Sequence, residues 1–277
     1  MARRSGILFL DKPQGVTSAK AVAKLKRVFP GSKIGHGGTL DPMASGMLPI
    51  LIGGATKLSM MFLGSNKVYL AGIKLGITTD TLDAEGTVTS TCEVSSQCFD
   101  RVPAVIQRFV GRISQTPPIY SALKYRGKPM HYWARRGVPV QTRPREVEIY
   151  DINLKKIDRE KNIVWMEIYC SSGTYIRTFA DDFGSRIGCG GSLCYLRRLS
   201  VKGVESMVTL DEVNASHLIH LEDMFSYLER CNLNDKEFLS LKNGSYSLTD
   251  SCILYYQNQF KGILMKYNDK IIRYLEL

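Results

Sequence analysis

The chain has 277 residues, 44% of them hydrophobic and 23% charged, which is typical of a folded globular protein and excludes wholesale disorder. It carries 37 lysines and arginines against 26 aspartates and glutamates, so its formal net charge is +11. A basic balance of this size favours a polyanionic partner.

The cysteine pattern and the lengths of the apolar runs indicate the cellular compartment in which the protein is expected. The seven cysteines contain no C-x-x-C pair, which argues against a disulfide framework or a zinc site. We therefore expect reduced thiols and a cytoplasmic location. The sequence shows no signal peptide, and its apolar runs are too short to span a bilayer, so we expect a soluble protein with no membrane association.

The first predicted element is a helix. Ser18 is predicted to cap this helix, which should end at Pro30-Gly31, and the glycines of 33–42 predict a loop. A strand is predicted over 68–75, with Gly72 as the site of a bulge. Helical spacing follows over 106–113.

The second half of the chain is predicted to alternate strands and helices, and its residue pattern changes near 238. Two strands are predicted over 149–157 and 163–170, then an amphipathic helix over 176–187 and an acidic helical stretch over 205–231. Short apolar runs separated by turn residues from 238 onwards predict a small β module. We therefore expect an α+β (mixed α/β) fold with two domains, 1–230 and 231–277.

The positive charge is concentrated in two segments. Residues 1–40 contain eight basic residues and one acid, and residues 101–145 contain ten basic residues and no acid. The second segment interleaves cations with aromatic rings, a mixture that suits phosphates and unpaired bases of single-stranded or loop RNA. A solvated basic surface is the alternative interpretation. The candidate contacts to the RNA backbone are Lys12, Lys124, Arg126 and Lys128.

The glycine-rich segment 35–42 ends in Asp41-Pro42. Glycines allow the backbone to approach a ligand closely, and Pro42 favours an extended conformation of Asp41. The segment thus presents a carboxylate from a stiffened loop, although an ordinary turn is the commoner meaning of such a sequence.

Several motifs, taken together and in order, resemble the TruB family of tRNA pseudouridine synthases. The resemblance extends from residue 6 to about 210, and two small departures, Gly37 and Ser45, remove no chemical group. The motifs are Leu10-Asp11-Lys12-Pro13-Gln14-Gly15, the Gly-His-x-Gly-Thr-Leu-Asp-Pro run at 35–42, Pro117-Pro118-x-Tyr120-Ser121-Ala122-Leu123-Lys124, Gly173-Thr174-Tyr175-Ile176-Arg177 and Leu196-Arg197-Arg198-Leu199.

This resemblance implies a pseudouridine synthase fold with a central, mostly antiparallel sheet, followed by a short PUA-like module. It implies an enzyme that isomerises the T-loop uridine of tRNA, conventionally numbered 55, to pseudouridine. The roles it implies are a catalytic aspartate for Asp41, a base-stacking ring for Tyr69, a guanidinium paired with Asp41 for Arg177, a tRNA-loop contact for His36, and nucleotide-pocket positions for Tyr175 and Leu196.

The chemistry needs neither a metal nor another cofactor, because the base leaves the ribose and rejoins it without any loss of atoms. A carboxylate can act as the nucleophile, and a guanidinium beside it would keep it ionised. Attack of Asp41 on C6 of uracil, attack on C1′ of ribose and elimination all remain open. Either Tyr69 or Asp41 can be the base that removes the C5 proton.

Two other functions compete with this interpretation. A non-catalytic tRNA-binding or tRNA-folding protein would have the same basic segments, but it would gain nothing from a carboxylate placed near phosphates. A guide-dependent synthase would need partner proteins, whereas the compact chain without charged tails favours a stand-alone monomer. His217 and His220 lie in an acidic stretch without a convincing ligand set, which argues against a metal hydrolase.

Overall fold

A computed structural model describes residues 5–121, 123–243, 250–267 and 270–275. The chain forms two compact units. The first unit contains the residues up to Leu40, the segment Met47–Leu63 and the residues from Ser206 onwards. The second unit contains Asp41–Gly46 and Gly64–Glu205.

The secondary structure mixes strands and short helices along the whole chain. The strands are β1 (Gly6–Lys12), β2 (Ile34–His36), β3 (Ser45–Ile52), β4 (Lys67–Leu75), β5 (Ile77–Thr79), β6 (Val88–Thr91), β7 (Gly111–Gln115), β8 (Lys124–Tyr125), β9 (Lys128–Pro129), β10 (Arg145–Asp158), β11 (Ile163–Cys170), β12 (Gly191–Val201), β13 (Val208–Thr209), β14 (Glu229–Leu233), β15 (Cys252–Tyr256), β16 (Gln259–Tyr267) and β17 (Lys270–Leu275).

The α-helices are α1 (Ser18–Leu25), α2 (Ser59–Leu63), α3 (Ser96–Asp100), α4 (Val102–Gln107), α5 (Met130–Ala134), α6 (Ile176–Ile187), α7 (Leu221–Met224) and α8 (Asp235–Lys242). Two 3₁₀ turns lie at Gly53–Leu58 and Ala215–His217. None of the helices in the described ranges is long and apolar enough to cross a membrane.

The second unit is built on a run of antiparallel strands in the order β12-β4-β11-β10-β7. β12 also pairs in parallel with Ser45 and Gly46 at the start of β3. The predicted strands at 68–75, 149–157 and 163–170 are therefore confirmed, and the sheet is mostly antiparallel, as expected. The predicted bulge at Gly72 is wrong, because β4 pairs with β11 in an unbroken register through Gly72. The extra residue lies on the other neighbouring strand, β12, whose register shifts between Leu193 and Tyr195.

Helix α6 packs against this unit through the apolar face that its sequence predicts. Phe179, Phe183 and Ile187 are all fully buried, and the Phe179 ring lies 4.7 Å from the ring of Phe109. The helix ends at Gly188, whose φ of 102° is the left-handed conformation that glycine adopts most readily. This packing fixes the first turn of α6, where Arg177 lies.

The first unit contains strands in the order β13-β1-β3, with β2 paired to β3, and a separate sheet in the order β14-β15-β16-β17. The second sheet confirms the predicted small C-terminal β module, although the module also contains helix α8. Its core is formed by Leu233, Leu241, Cys252, Leu254 and Leu264. Residues 244–249, 268–269 and 276–277 of this module lie outside the described residues, and the division at 230 remains a prediction.

The predicted helix cap at Ser18 is wrong, and so is the predicted end at Pro30-Gly31, because α1 already ends at Leu25. Thr17 occupies the N-cap position, and its side chain accepts a hydrogen bond from the backbone N–H of Lys20 at 3.1 Å. The hydroxyl of Ser18 instead bonds both backbone groups of Leu40, at 3.0 and 3.1 Å. Ser18 therefore anchors the glycine-rich segment 35–42 at Leu40.

Two predicted helices are also wrong in part. The run over 106–113 is helical only to Gln107, and Ile113 then pairs with Val147 in the sheet. In the stretch over 205–231 only α7 and a 3₁₀ turn are helical, whereas Val208 and Ile219 pair with residues of β1 and the stretch ends in β14. The predicted loop over 33–42 begins with strand β2.

Candidate active site

Asp41 lies in the second unit, in the segment that leads into strand β3. The backbone N–H of Ala44 donates to the Asp41 carbonyl oxygen at 3.1 Å, which closes a tight turn. The Asp41 side chain is 36% exposed. This carboxylate is therefore held by local backbone and remains accessible from outside the protein.

Arg177 approaches Asp41 from the first turn of α6. Its Nε lies 2.9 Å from Oδ2 of Asp41, and its Nη2 donates to Oδ1 at 3.4 Å. The guanidinium also donates to the backbone oxygens of Thr81 at 3.1 Å and Tyr120 at 2.8 Å. With 5% of its side chain exposed, Arg177 is a buried, multiply bonded cation that fixes the orientation of the Asp41 carboxylate.

A second carboxylate, Asp83, shares this guanidinium. Its Oδ2 lies 3.6 Å from Arg177 Nε, and its side chain is only 6% exposed. Its Oδ1 accepts hydrogen bonds from the Thr81 hydroxyl at 2.6 Å and the Glu85 backbone N–H at 3.1 Å. Asp83 is thus fully engaged within the protein, and Asp41 is the carboxylate of the pair that a substrate can reach.

Sequence reasoning missed Asp83. It follows β5 in a turn-forming run, Thr81 to Gly86, where an aspartate is commonly a turn residue. The only signal was this excess of turn formers, which does not distinguish a buried carboxylate from a solvated one.

Tyr69 lies on β4 and is 8% exposed. Burial raises the pKa of Tyr69 above its ordinary value, the charge and hydrogen bond of Arg198 oppose this rise, and the charges of Cys170 and Asp41 add to it. The phenol is protonated at neutral pH.

Tyr175 and Leu196 belong to the same unit. Tyr175 is the N-cap residue of α6, and Gln115 bonds both of its backbone groups, with its amide donating to the carbonyl oxygen at 3.3 Å and its own oxygen accepting from the N–H at 3.0 Å. The guanidinium of Arg145 lies 5.6 Å from the Tyr175 ring. Leu196 is buried on β12 and pairs with Ala71 of β4, two residues from Tyr69.

His36 and Lys12 belong to the first unit. His36 ends strand β2 opposite Ile50, and its side chain is half-buried. Lys12 is fully buried, and its ammonium donates to the backbone oxygens of Pro13 at 2.9 Å and Val16 at 2.6 Å. Lys12 thereby shapes the turn that follows β1, and contact of either residue with RNA remains a prediction.

The basic segment of the second unit forms an exposed hairpin from β8 and β9. Arg126 and Gly127 connect the strands with φ values of 47° and 78°, the left-handed pair of a tight hairpin turn. Lys124, Arg126 and Lys128 are exposed, and Lys128 Nζ lies 4.2 Å from the ring centroid of Tyr132. The hydrogen bond from Lys128 lowers the pKa of Tyr132.

Within the described part of the chain, no group of three or more His, Cys, Asp or Glu residues is arranged to hold a metal ion. The charged cluster of the candidate site consists of Asp41, Arg177 and Asp83.

Comparisons with known proteins agree with this arrangement. The model of the TruB family pseudouridylate synthase N-terminal domain matches residues 26–176, more than half of the chain. This range includes Asp41, Tyr69 and Tyr175 and ends just before Arg177.

Two curated relatives have the name tRNA pseudouridine synthase B. The protein from Blochmanniella pennsylvanica is 44% identical over 197 residues, covering 71% of this chain and 75% of the relative. The protein from Shigella dysenteriae is 42% identical over 237 residues, covering 85% of this chain and 72% of the relative.

Among solved structures, a Cbf5-Nop10-Gar1 complex contains a chain of the same fold. It superposes with a TM-score of 0.67 at 23% identity and covers 98% of this chain and 84% of that chain. The match extends over the C-terminal β module as well as the sheet that carries the candidate site. The sequence and fold comparisons together show that the chain belongs to the TruB family of pseudouridylate synthases.

Proposed function

We propose that the chain isomerises a uridine of tRNA to pseudouridine and that its target is the T-loop uridine at position 55. The family membership supports pseudouridine formation. The curated relatives named tRNA pseudouridine synthase B, at 42–44% identity, support tRNA as the substrate. The T-loop target rests on the motifs of the sequence.

The observation that carries the proposal is the geometry around Arg177. One buried guanidinium holds two carboxylates, of which Asp83 is enclosed by its own hydrogen bonds and Asp41 is accessible. A guanidinium beside a carboxylate favours its ionised form and opposes the cost of partial desolvation. Arg177 therefore orients the accessible Asp41 carboxylate, as a nucleophile for a uridine requires.

Asp41 reacts with a uridine that has left its stack. Extrusion of the base costs a few kcal/mol, and stacking on an aromatic ring returns about 1–3 kcal/mol per base. Tyr69 and Tyr175 provide the rings in the second unit, and Leu196 provides an apolar surface beside Tyr69. The N1–C1′ bond breaks, the uracil turns within the site, and a C5–C1′ bond forms.

The exposed hairpin of β8 and β9 supplies phosphate contacts. Lys124, Arg126 and Lys128 are solvent-exposed cations in a segment without an acid, so each can neutralise a phosphate and release its counterion. These contacts contribute affinity that offsets the cost of extruding the base. His36 would contact the tRNA loop and help to hold the base out.

We further propose that the protein acts in the cytoplasm, as a monomer and without an obligate protein partner. The relatives from Blochmanniella pennsylvanica, Vibrio cholerae and Shigella dysenteriae share the name tRNA pseudouridine synthase B, which mentions no partner protein, and this supports the proposal. The solved relative of the same fold is a complex with two other proteins, so the oligomeric state should be measured during the activity assay.

The deciding experiment incubates the purified protein with an unmodified tRNA transcript, without any added cofactor, and maps pseudouridine at each position. The proposal requires a single new pseudouridine in the T loop. Product elsewhere would refute the assigned target. Binding of tRNA with no product would instead show a protein that binds or refolds tRNA without catalysis.

A further inference from the structure

The exposed cations of helix α1 have no part in the function proposed above. Residues 12–40 and 47–63, which belong to the first unit, contain seven lysines and arginines and no acid. Lys12, the cation of this part that the sequence suggests as an RNA contact, is fully buried, and its ammonium bonds backbone oxygens. The accessible positive charge therefore belongs to other residues, and most of these lie on α1 and the turn that follows it.

Three of these cations form a stripe on one side of α1. Lys20, Lys24 and Arg27 are exposed and follow one another at helical spacing, which places neighbouring side chains about 5–6 Å apart. The regular helix ends at Leu25, but the turn continues, because the N–H of Arg27 donates to the Lys24 carbonyl oxygen at 3.3 Å. The opposite side of the helix is buried, through Ser18, Ala21, Leu25 and Phe29.

The α1 stripe weakens the helix that carries it. Like charges at this spacing repel one another, and no ion pair found within the described residues includes a cation of α1. Lys20 also lies in the first turn, which contains no acid, close to the positive end of the helix dipole. Cations that repel one another and lack acidic neighbours indicate a surface whose anion comes from another molecule.

The surroundings of the α1 stripe indicate that this anion is a phosphate backbone. The acid-free ranges contain only two aromatic residues, Phe29 and Phe62, and both are buried. The exposed hairpin of β8 and β9 differs, since Lys128 Nζ lies 4.2 Å from the ring centroid of Tyr132. Rings bind unpaired bases, whereas cations without rings neutralise phosphates and read no sequence. A base-paired stem, whose bases are enclosed and whose phosphates are regularly spaced, fits such a surface.

Helix α1 is connected to the part of the first unit that carries His36. The Ser18 hydroxyl bonds both backbone groups of Leu40, at 3.0 and 3.1 Å. The helix also packs beside β2, the strand that ends at His36. An RNA that His36 contacts therefore meets the same unit that carries the α1 stripe.

We propose that the α1 stripe binds the phosphates of a base-paired stem of tRNA. This inference rests on the proposed function, since it takes tRNA as the substrate. Lys20, Lys24 and Arg27 each neutralise one phosphate and release its counterion. The surface adds affinity that is independent of sequence, in addition to the contacts of the β8–β9 hairpin, and leaves the choice of uridine to the residues around Asp41.

The test compares the parent with Lys20→Gln/Lys24→Gln/Arg27→Gln by filter binding. The probes are an RNA duplex and a single-stranded RNA of the same length and composition, both without uridine. Three contacts at a slope of about 0.9 each predict that the parent loses about 40-fold more duplex affinity than the variant between about 50 and 200 mM salt. The single strand should show a smaller difference, because the rings of the β8–β9 hairpin remain.

The first control keeps the charges of the α1 stripe. Lys20→Arg/Lys24→Arg/Arg27→Lys should retain the salt slope of the parent, because the phosphate contacts depend on charge. Thermal unfolding is measured in parallel. The glutamine variant should melt no lower than the parent, since its substitutions relieve repulsion within α1, and a weaker binding is then not a folding defect.

The second control removes the same number of charges elsewhere. Lys155→Gln/Lys156→Gln/Lys161→Gln lies in the second unit and should leave the salt slope for the duplex at the parent value. The inference is overturned if the glutamine variant of α1 keeps the parent slope, or if this control loses as much. It is also overturned if the single strand loses as much as the duplex, or if polyglutamate of equal charge competes as well as the duplex does.

Activity and binding separate this inference from the proposed function. Because the probes contain no uridine, they report on the α1 stripe whether or not the protein forms pseudouridine. If the parent binds the duplex through α1 but forms no pseudouridine on tRNA, only the proposed function has failed. If it forms pseudouridine and the duplex salt slope does not depend on α1, only the present inference has failed.

Discussion

Removal of the Arg177 guanidinium should destabilise the fold as well as abolish activity. In Arg177→Met the side chain retains its apolar stem but leaves Asp83, with 6% of its side chain exposed, without its cation. Breaking a buried ion pair from one side costs about 3–5 kcal/mol. Asp41 contributes little to this cost, because its 36% exposed carboxylate can be rehydrated.

The expected loss corresponds to a fall in the melting temperature of about 10 °C, since each kcal/mol shifts the midpoint of a chain of this size by about 2–4 °C. Thermal unfolding followed by circular dichroism measures the shift. The double variant Arg177→Met/Asp83→Asn removes the orphaned charge and should recover about half of the loss in stability, while its activity remains absent.

The reasoning is refuted if Arg177→Met melts within about 2 °C of the parent, or if Asp83→Asn lowers the stability of the Arg177→Met variant further. Either result would mean that the Asp83 carboxylate is adequately compensated by Thr81 and Glu85 alone.

Three further predictions concern the nucleophile, the basic hairpin and the buried lysine. Asp41→Asn should abolish product while tRNA affinity, measured by filter binding, changes by no more than a few-fold; turnover near the parent rate would contradict the nucleophile assignment. Neutralising the hairpin cations Lys124, Arg126 and Lys128 should weaken tRNA binding. It should also reduce the slope of log affinity against log salt concentration by about one unit per lost phosphate contact. An equal effect from neutralising the control residues Lys155, Lys156 and Lys161 would show that the hairpin has no special role. Burial lowers the pKa of Lys67 from 10.5 to about 8, so between these pH values the unfolded chain binds a proton that the folded chain lacks. The free energy of unfolding, relative to that of Lys67→Met, should therefore rise with pH across this window by up to about 3 kcal/mol. If the difference between the denaturation midpoints of the two proteins stays constant from pH 8 to 10.5, the shift is excluded.

The sequence predicted those elements whose residues form a complete local pattern. Helix α6 is an example, because Phe179, Phe183 and Ile187 repeat at helical spacing and the same face is buried in the structure. The run over 106–113 failed, since Ile113 continues the helical spacing but gains a strand partner in Val147, which is distant in the chain. Local periodicity contains no information about such pairing.

The sequence likewise predicted only some of the residues of the candidate site. Asp41 and Arg177 were predicted as a pair because their motifs resemble those of a known family, and the structure places their charged atoms 2.9 Å apart. Asp83 was not identified as part of the site. Its importance arises from its burial and from its contact with Arg177, which is distant in the chain, and composition and spacing do not reveal either.

The close approach at Gly46 restricts how this family member can vary. Because the backbone at position 46 needs both a left-handed conformation and the absence of a Cβ against strand β12, every other amino acid displaces the short segment that begins at Asp41. In a screen for inactive mutants, position 46 would therefore score beside the residues that perform chemistry, although its own atoms offer a substrate nothing. Mutational maps of this enzyme should accordingly be interpreted with the packing of its backbone in view.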